Sequence, residues 1–134
     1  KSTKLSWRYH SANKSKSDVF VSFHLDSYSS EKTWSKIIYQ QNNDNEAASI
    51  ELGETIAPFL NLVMPVNKRP VQSMADQHRD DVKNLAVLQN FHGNAGVLIE
   101  FGNIQNPANV ENIKTNASLI GFFVALGIFN YLNK

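Results

Sequence analysis

Two stretches of this chain are apolar on both of their alternating faces until a titratable residue interrupts each near its end. Residues 18–27, Asp-Val-Phe-Val-Ser-Phe-His-Leu-Asp-Ser, keep apolar side chains on both sides up to His24. Residues 96–102, Gly-Val-Leu-Ile-Glu-Phe-Gly, do the same up to Glu100. Runs of this kind predict central strands covered on both faces. A further strand is predicted over residues 33–41, which carry Trp34, Ile37, Ile38 and Tyr39. Between these strands the apolar spacing changes. Asn45 is placed as a helix cap, and Ala48, Leu52, Ile56, Phe59, Leu60 and Val63 then recur at helical intervals, with Pro58 a possible kink. Residues 2–17 are polar and read as a helix end leading into the first strand. Residues 65–81, with Pro65 and Pro70, read as a long loop, and residues 85–88 as a short apolar element. Pro107 opens a helical region. Its last part sets Ile120, Phe123, Val124, Gly127, Ile128 and Tyr131 on one face. Strands alternating with helices predict an α/β layer fold with a largely parallel mixed sheet flanked by helices.

Composition narrows the options. At 134 residues the chain is one domain, and 42% hydrophobic with 19% charged residues excludes a disordered tail. Thirteen Lys and Arg against twelve Asp and Glu leave +1, which argues against a nucleic-acid binder. Without cysteine there is no disulfide framework, thiol nucleophile or thiolate metal site, so any metal must be held by His, Asp or Glu. The longest apolar stretch, residues 119–129, is about half the roughly twenty residues a membrane span needs and reads as a buried helix. The expectation is a monomer with no transmembrane segment.

The chemistry is sought where ligands bind in open α/β sheets, beyond the carboxyl ends of the strands. His24 and Glu100 each sit near such an end. A His there is often a hydrogen-bonded structural residue, and a Glu there is often a loop acid, so spacing alone leaves both readings open. Of the other polar candidates, His10 reads as a surface residue and His92 as out of context for a metal ligand; His78 reads as a surface or substrate-facing residue, Arg79 and Lys83 as structural or solvated cations or as partners of substrate carboxylates, and Trp34 and Tyr39 as core aromatics rather than sugar platforms.

Longer motifs add to the residue reading. Arg8, then Ala12-Asn13, then residues 18–27 ending on His24, resemble the N-terminal half of the zinc-dependent N-acetylmuramoyl-L-alanine amidases of the Amidase_3 type. Residues 97–107, Val-Leu-Ile-Glu-Phe-Gly-Asn-Ile-Gln-Asn-Pro, resemble that family's Val-Leu-Val-Glu-x-Gly-Phe-Ile-x-Asn segment. Between them, Arg79-Asp80-Asp81-Val82 with Leu85, Val87 and Leu88 fits the family's loop and short strand before the catalytic strand. The resemblance implies a bacterial, extracytoplasmic cell-wall hydrolase. It cleaves the amide between the lactyl group of N-acetylmuramic acid and L-alanine of the peptidoglycan stem peptide. It implies His24 as a Zn2+ ligand and Glu100 as the catalytic acid/base, with zinc activating the attacking water. On this reading the two residues share one end of one sheet. The family's opening strand, ending in a zinc-binding Gly-His-Gly-Gly turn, and a second zinc-binding Glu are not found in residues 1–134. The expectation is therefore an amidase-like catalytic domain truncated at its N-terminus, with its first strand missing and zinc held weakly. The alternatives are a non-catalytic cell-wall-binding homologue and another zinc amidohydrolase on a related sheet.

Overall fold

The computed structural model describes residues 4–27, 31–77 and 84–134. Helix α1 (Leu5–Lys14) leads into strand β1 (Val19–Asp26), followed by β2 (Ser35–Tyr39), helix α2 (Glu46–Leu60) and β3 (Val66–Ser73). A short helical turn, α3 (Ala86–Gln89), precedes β4 (Ala95–Asn103), and helix α4 (Pro107–Leu132) follows. The four strands form one sheet in the order β1-β4-β2-β3. β1 runs parallel to β4 and β2 parallel to β3, while β2 and β4 are antiparallel. This is the mixed, largely parallel α/β sheet that the alternation predicts.

Side chains alternate strictly across the central strand β4. Val97, Ile99 and Phe101 join Ile37 and the inner faces of α2 and α4 in the main core, with Leu52, Ile56, Leu60, Ile120 and Val124. Leu98 points the other way and packs with Ile38, Met74, Val87 and Leu88. Burial on both faces explains why the strand lacks polar alternation. Helices α2 and α4 touch closely. A Cβ added at Gly127 would lie 2.8 Å from the Ile56 Cα, so glycine sets this helix spacing.

Two local readings are corrected. Residues 65–81 are not a continuous loop: they contain β3 and a 3-10 turn, Ala75–Gln77. β3 is polar because it is an edge strand with half-exposed side chains. Its pairing jumps from Ser35–Val66 to Ile37–Val71, so Pro70 sits in an irregularity that needs no ladder donor. The apolar element at residues 85–88 is helical, with Gln89 and Asn90 N–H groups donating to Leu85 and Ala86 carbonyls, so the expected short strand is absent there. Pro58 lies inside α2, which continues to Leu60, as the apolar spacing predicts.

The Ala12-Asn13 pair has a structural use. The Asn13 amide donates to the Asn90 carbonyl at 2.8 Å and accepts from the His92 N–H at 2.9 Å, clamping the turn before β4 onto α1. At the far end of β4, Gly102 has φ +117°. Asn103 N–H donates there to the Asn109 side chain, and Asn106 caps α4 by accepting from Asn109 N–H. Pro107 follows at the first helical turn. The glutamate-bearing strand is thus anchored at both ends.

Candidate active site

Glu100 is the one residue of β4 that is not fully buried. Alternation along β4 puts it on the same face as Leu98, away from α2 and α4. Parallel register aligns His24 of β1 with Glu100, and antiparallel register aligns Lys36 of β2 with it from the other side. Three chemically active side chains therefore stand in a row across neighbouring strands, at a strand spacing of about 4.8 Å. The two candidates picked from the sequence are brought together at the carboxyl ends of two parallel strands.

Glu100 borders a cleft of about 370 Å³ whose walls include Asp26, Trp34, Lys36, Gln72 and Gln77. Lys36 Nζ lies 3.0 Å from Asp26 Oδ2, with side-chain exposures of 18% and 22%. Because β4 runs between β1 and β2, this ion pair crosses over the glutamate-bearing strand. Ion pairs this sheltered from water hold their geometry better than exposed ones. Trp34 is 49% exposed and lines the cleft, so it is not the core residue expected from the sequence. Lys36 and Asp26 were missed as site residues. Their signals were present: Asp26 lies two residues past His24 on the same strand face, and Lys36 is a lone cation inside an apolar strand.

His24 Nε2 lies 3.0 Å from the Ser22 hydroxyl. Burial pushes the imidazole below its ordinary value, and the Arg8 guanidinium on α1 adds to the shift. Neutral imidazole is the form that ligates a metal. The native state then holds this proton less readily than the unfolded chain, so acid favours unfolding. The His24 contribution to stability is expected to be intact above about pH 6.5 and to fall as the pH drops below it. Urea midpoints at pH 7.5 and 5.5 check this: His24→Gln should lose less stability between the two than the parent chain. An equal loss in both would contradict the assignment.

His10 and His92 are exposed, apart from the cleft. His78, Arg79 and Lys83 lie outside the described residues. Among the described residues no three His, Asp or Glu side chains group as a metal centre. Among the described residues the donor set around His24 does not complete a zinc site.

Against known proteins, the family model for N-acetylmuramoyl-L-alanine amidase (Amidase_3) matches residues 1–130. The chain belongs to this amidase family. Curated protein sequences give no match. Solved structures agree on the fold. The N-acetylmuramyl-L-alanine amidase Ami1 from Mycobacterium smegmatis superposes with a TM-score of 0.80 at 18% identity, covering 96% of this chain and 60% of that one. The CwlD amidase from Clostridioides difficile, solved with the GerS lipoprotein, gives 0.76 at 26% identity, covering 96% and 61%. The AmiC2 amidase of Nostoc punctiforme gives 0.76 at 18% identity, covering 98% and 67%. The chain thus spans about 60% of the length of the first two.

Proposed function

We propose that residues 1–134 are the larger part of the catalytic domain of a peptidoglycan amidase, with Glu100 as its acid/base. The domain would cleave the bond between the N-acetylmuramic acid lactyl group and L-alanine. The observation that carries this reading is the register of His24 with Glu100, which borders the cleft, in a chain of the amidase family. Glu100 takes a proton from the water that attacks the lactyl carbonyl, then gives one to the departing alanine nitrogen. Protonation matters because an amide nitrogen leaves poorly as an anion. The Gln72 and Gln77 amides in the cleft wall suit the amides of a stem peptide, and Trp34 offers an apolar surface beside them. Such a substrate places the enzyme outside the cytoplasmic membrane.

Zinc is proposed for the complete protein, with His24 as one ligand and the others contributed from beyond residues 1–134. Among the described residues β1 stands at the edge of the sheet, which leaves room beside it for a further strand. Residues 1–134 alone are expected to retain far less than one zinc per chain after dialysis, and the full-length protein close to one. His24→Ala in the full-length protein should lose both zinc and release of free stem peptide from purified sacculi, since losing a ligand weakens the site. Metal content measured on the same samples is the check. Zinc and activity surviving His24→Ala together would remove His24 from the site. Sacculus binding without hydrolysis by the zinc-loaded wild type would favour the non-catalytic wall-binding reading.

A further inference from the structure

Strand β2 carries one charged residue, Lys36, and the fold turns it toward the glutamate-bearing strand. In the antiparallel register Lys36 stands directly opposite Glu100, as Ile38 stands opposite Leu98 on the same face. Residues so opposed have Cβ atoms about 4.5–5.5 Å apart. The ammonium does not stay over its own strand. It reaches Asp26 Oδ2 at 3.0 Å, and Asp26 lies on β1, on the far side of β4. With β4 between them, β1 and β2 are about 9–10 Å apart. A contact across that gap puts the ammonium above β4, on the face that bears Glu100. Asp26 aligns with Asn103 of β4, so the ammonium lies toward the carboxyl end of the strand from Glu100. All three side chains line the one cleft.

Lysine ordinarily carries its charge out to water. Here the side chain is 18% exposed and its charge crosses a neighbouring strand instead. Sheltering an ion pair costs desolvation that the attraction between the partners does not always offset. What the arrangement supplies is a cation held in place beside the proposed acid/base. Attack of water on an amide moves negative charge onto the carbonyl oxygen. A preoriented N–H donor at that oxygen lowers the barrier, most of all where bulk water is excluded. An ammonium has three N–H donors, and Asp26 engages one of them.

We propose that Lys36 is a catalytic residue that donates a hydrogen bond to the carbonyl oxygen of the scissile amide as it becomes an oxyanion, with Asp26 as its positioning residue. This rests on the amidase reading of the cleft. It adds a group for the carbonyl oxygen to the one already assigned to the water and the leaving nitrogen. Lys36 keeps its protons throughout. The water oxygen bonds to the carbonyl carbon, the carbonyl electron pair moves to the oxygen, and Glu100 takes the water's proton. The pair then returns, the C–N bond breaks, and Glu100 gives its proton to the nitrogen. Lys36 and Asp26 are neutral as a unit, so they draw a ground-state carboxylate weakly. A donor N–H gains strength as charge develops on the oxygen, and such differential binding raises kcat.

The test is steady-state hydrolysis of a soluble N-acetylmuramoyl peptide by the full-length protein, with zinc content and melting temperature from the same samples. Lys36→Met should lower kcat by about 10²–10³-fold and leave KM within a few-fold, the pattern of an interaction made in the transition state alone. Asp26→Asn should lower kcat by about tenfold on its own and add nothing in the Lys36→Met background, because it acts only through Lys36. The double variant also removes the whole pair. It should show the same loss of kcat if Lys36→Met alone misfolds by stranding Asp26. Rescue separates the ammonium from packing. Residues 1–134 contain no cysteine, so Lys36→Cys places a single thiol in this segment. Alkylation by 2-bromoethylamine forms a C–S bond with loss of bromide and restores an ammonium at the length of lysine. The alkylated protein should regain at least about tenfold in kcat, with wild type treated in parallel as the control. Unchanged kcat in Lys36→Met, a raised KM with kcat intact, or no recovery on alkylation would overturn the proposal while wild type remains active. A zinc-loaded wild type that leaves the substrate uncut would overturn the amidase reading and this proposal with it.

Discussion

Glu100→Gln in the full-length protein is expected to lose nearly all hydrolysis of purified peptidoglycan while keeping its fold and its bound zinc. The substitution preserves shape and removes the only property the proposed role needs, the ability to take up and return a proton. Loss of a general base costs about 10²–10⁴ in rate, and a group used as both base and acid belongs at the upper end. Glu100 stands in a strand otherwise buried on both faces, so a neutral amide there is no harder to bury than the carboxylate. Thermal stability should therefore hold or rise. Sacculus binding should survive, because the cleft walls are unchanged. Initial rates of stem-peptide release, with zinc and melting temperature from the same preparation, make the comparison. Activity within a few-fold of wild type would reduce Glu100 to a strand-end acid.

Gly102→Ala is expected to be the most damaging single-methyl change near the site. Its φ of +117° lies where a side chain is strained, and a Cβ there would come 2.1 Å from Asn109 Oδ1. Asn109 is buried and already accepts the Asn103 N–H, so it has little room to withdraw. The combined strain and lost hydrogen bond should cost about 2–4 kcal/mol. For a domain of this size that corresponds to a fall in Tm of roughly 10 °C. Because Gly102 is two residues past Glu100, activity should fall below what the loss of folded protein explains. Differential scanning calorimetry and the release assay at 20 °C separate the two effects. A Tm within 2 °C of the parent would mean the β4–α4 turn relaxes more freely than its geometry indicates.

The pairing of His24 with Glu100 on neighbouring strands followed from positions legible in the sequence, where each interrupts a run that is apolar on both faces. A polar residue in such a position either satisfies itself locally or serves a site. The same logic failed for β3. Val66–Ser73 is an edge strand, where half-exposed side chains leave no apolar alternation and a proline is tolerated at the break in pairing. Trp34 was misplaced in the core because an aromatic inside a β-rich run carries no mark of which strand end it occupies. The Asp26–Lys36 pair was hidden for a tertiary reason: only the order β1-β4-β2 puts a strand between them and brings their charges together over it. The start of α4 was legible from Pro107, although its first half is polar and is held by the Asn106 cap rather than by hydrophobic spacing.

The central claim is that the cleft beside Glu100 directs water onto one particular amide. Hydrolysis of a synthetic N-acetylmuramoyl peptide in ¹⁸O-enriched water by the full-length protein tests it most directly, with the products weighed by mass spectrometry. The expected result is one ¹⁸O in the lactyl carboxylate of the sugar fragment and an unlabelled peptide that begins with a free L-alanine amine. Label in a peptide carboxylate, from cleavage within the stem, or an uncut substrate in the presence of zinc-loaded protein, would contradict the account.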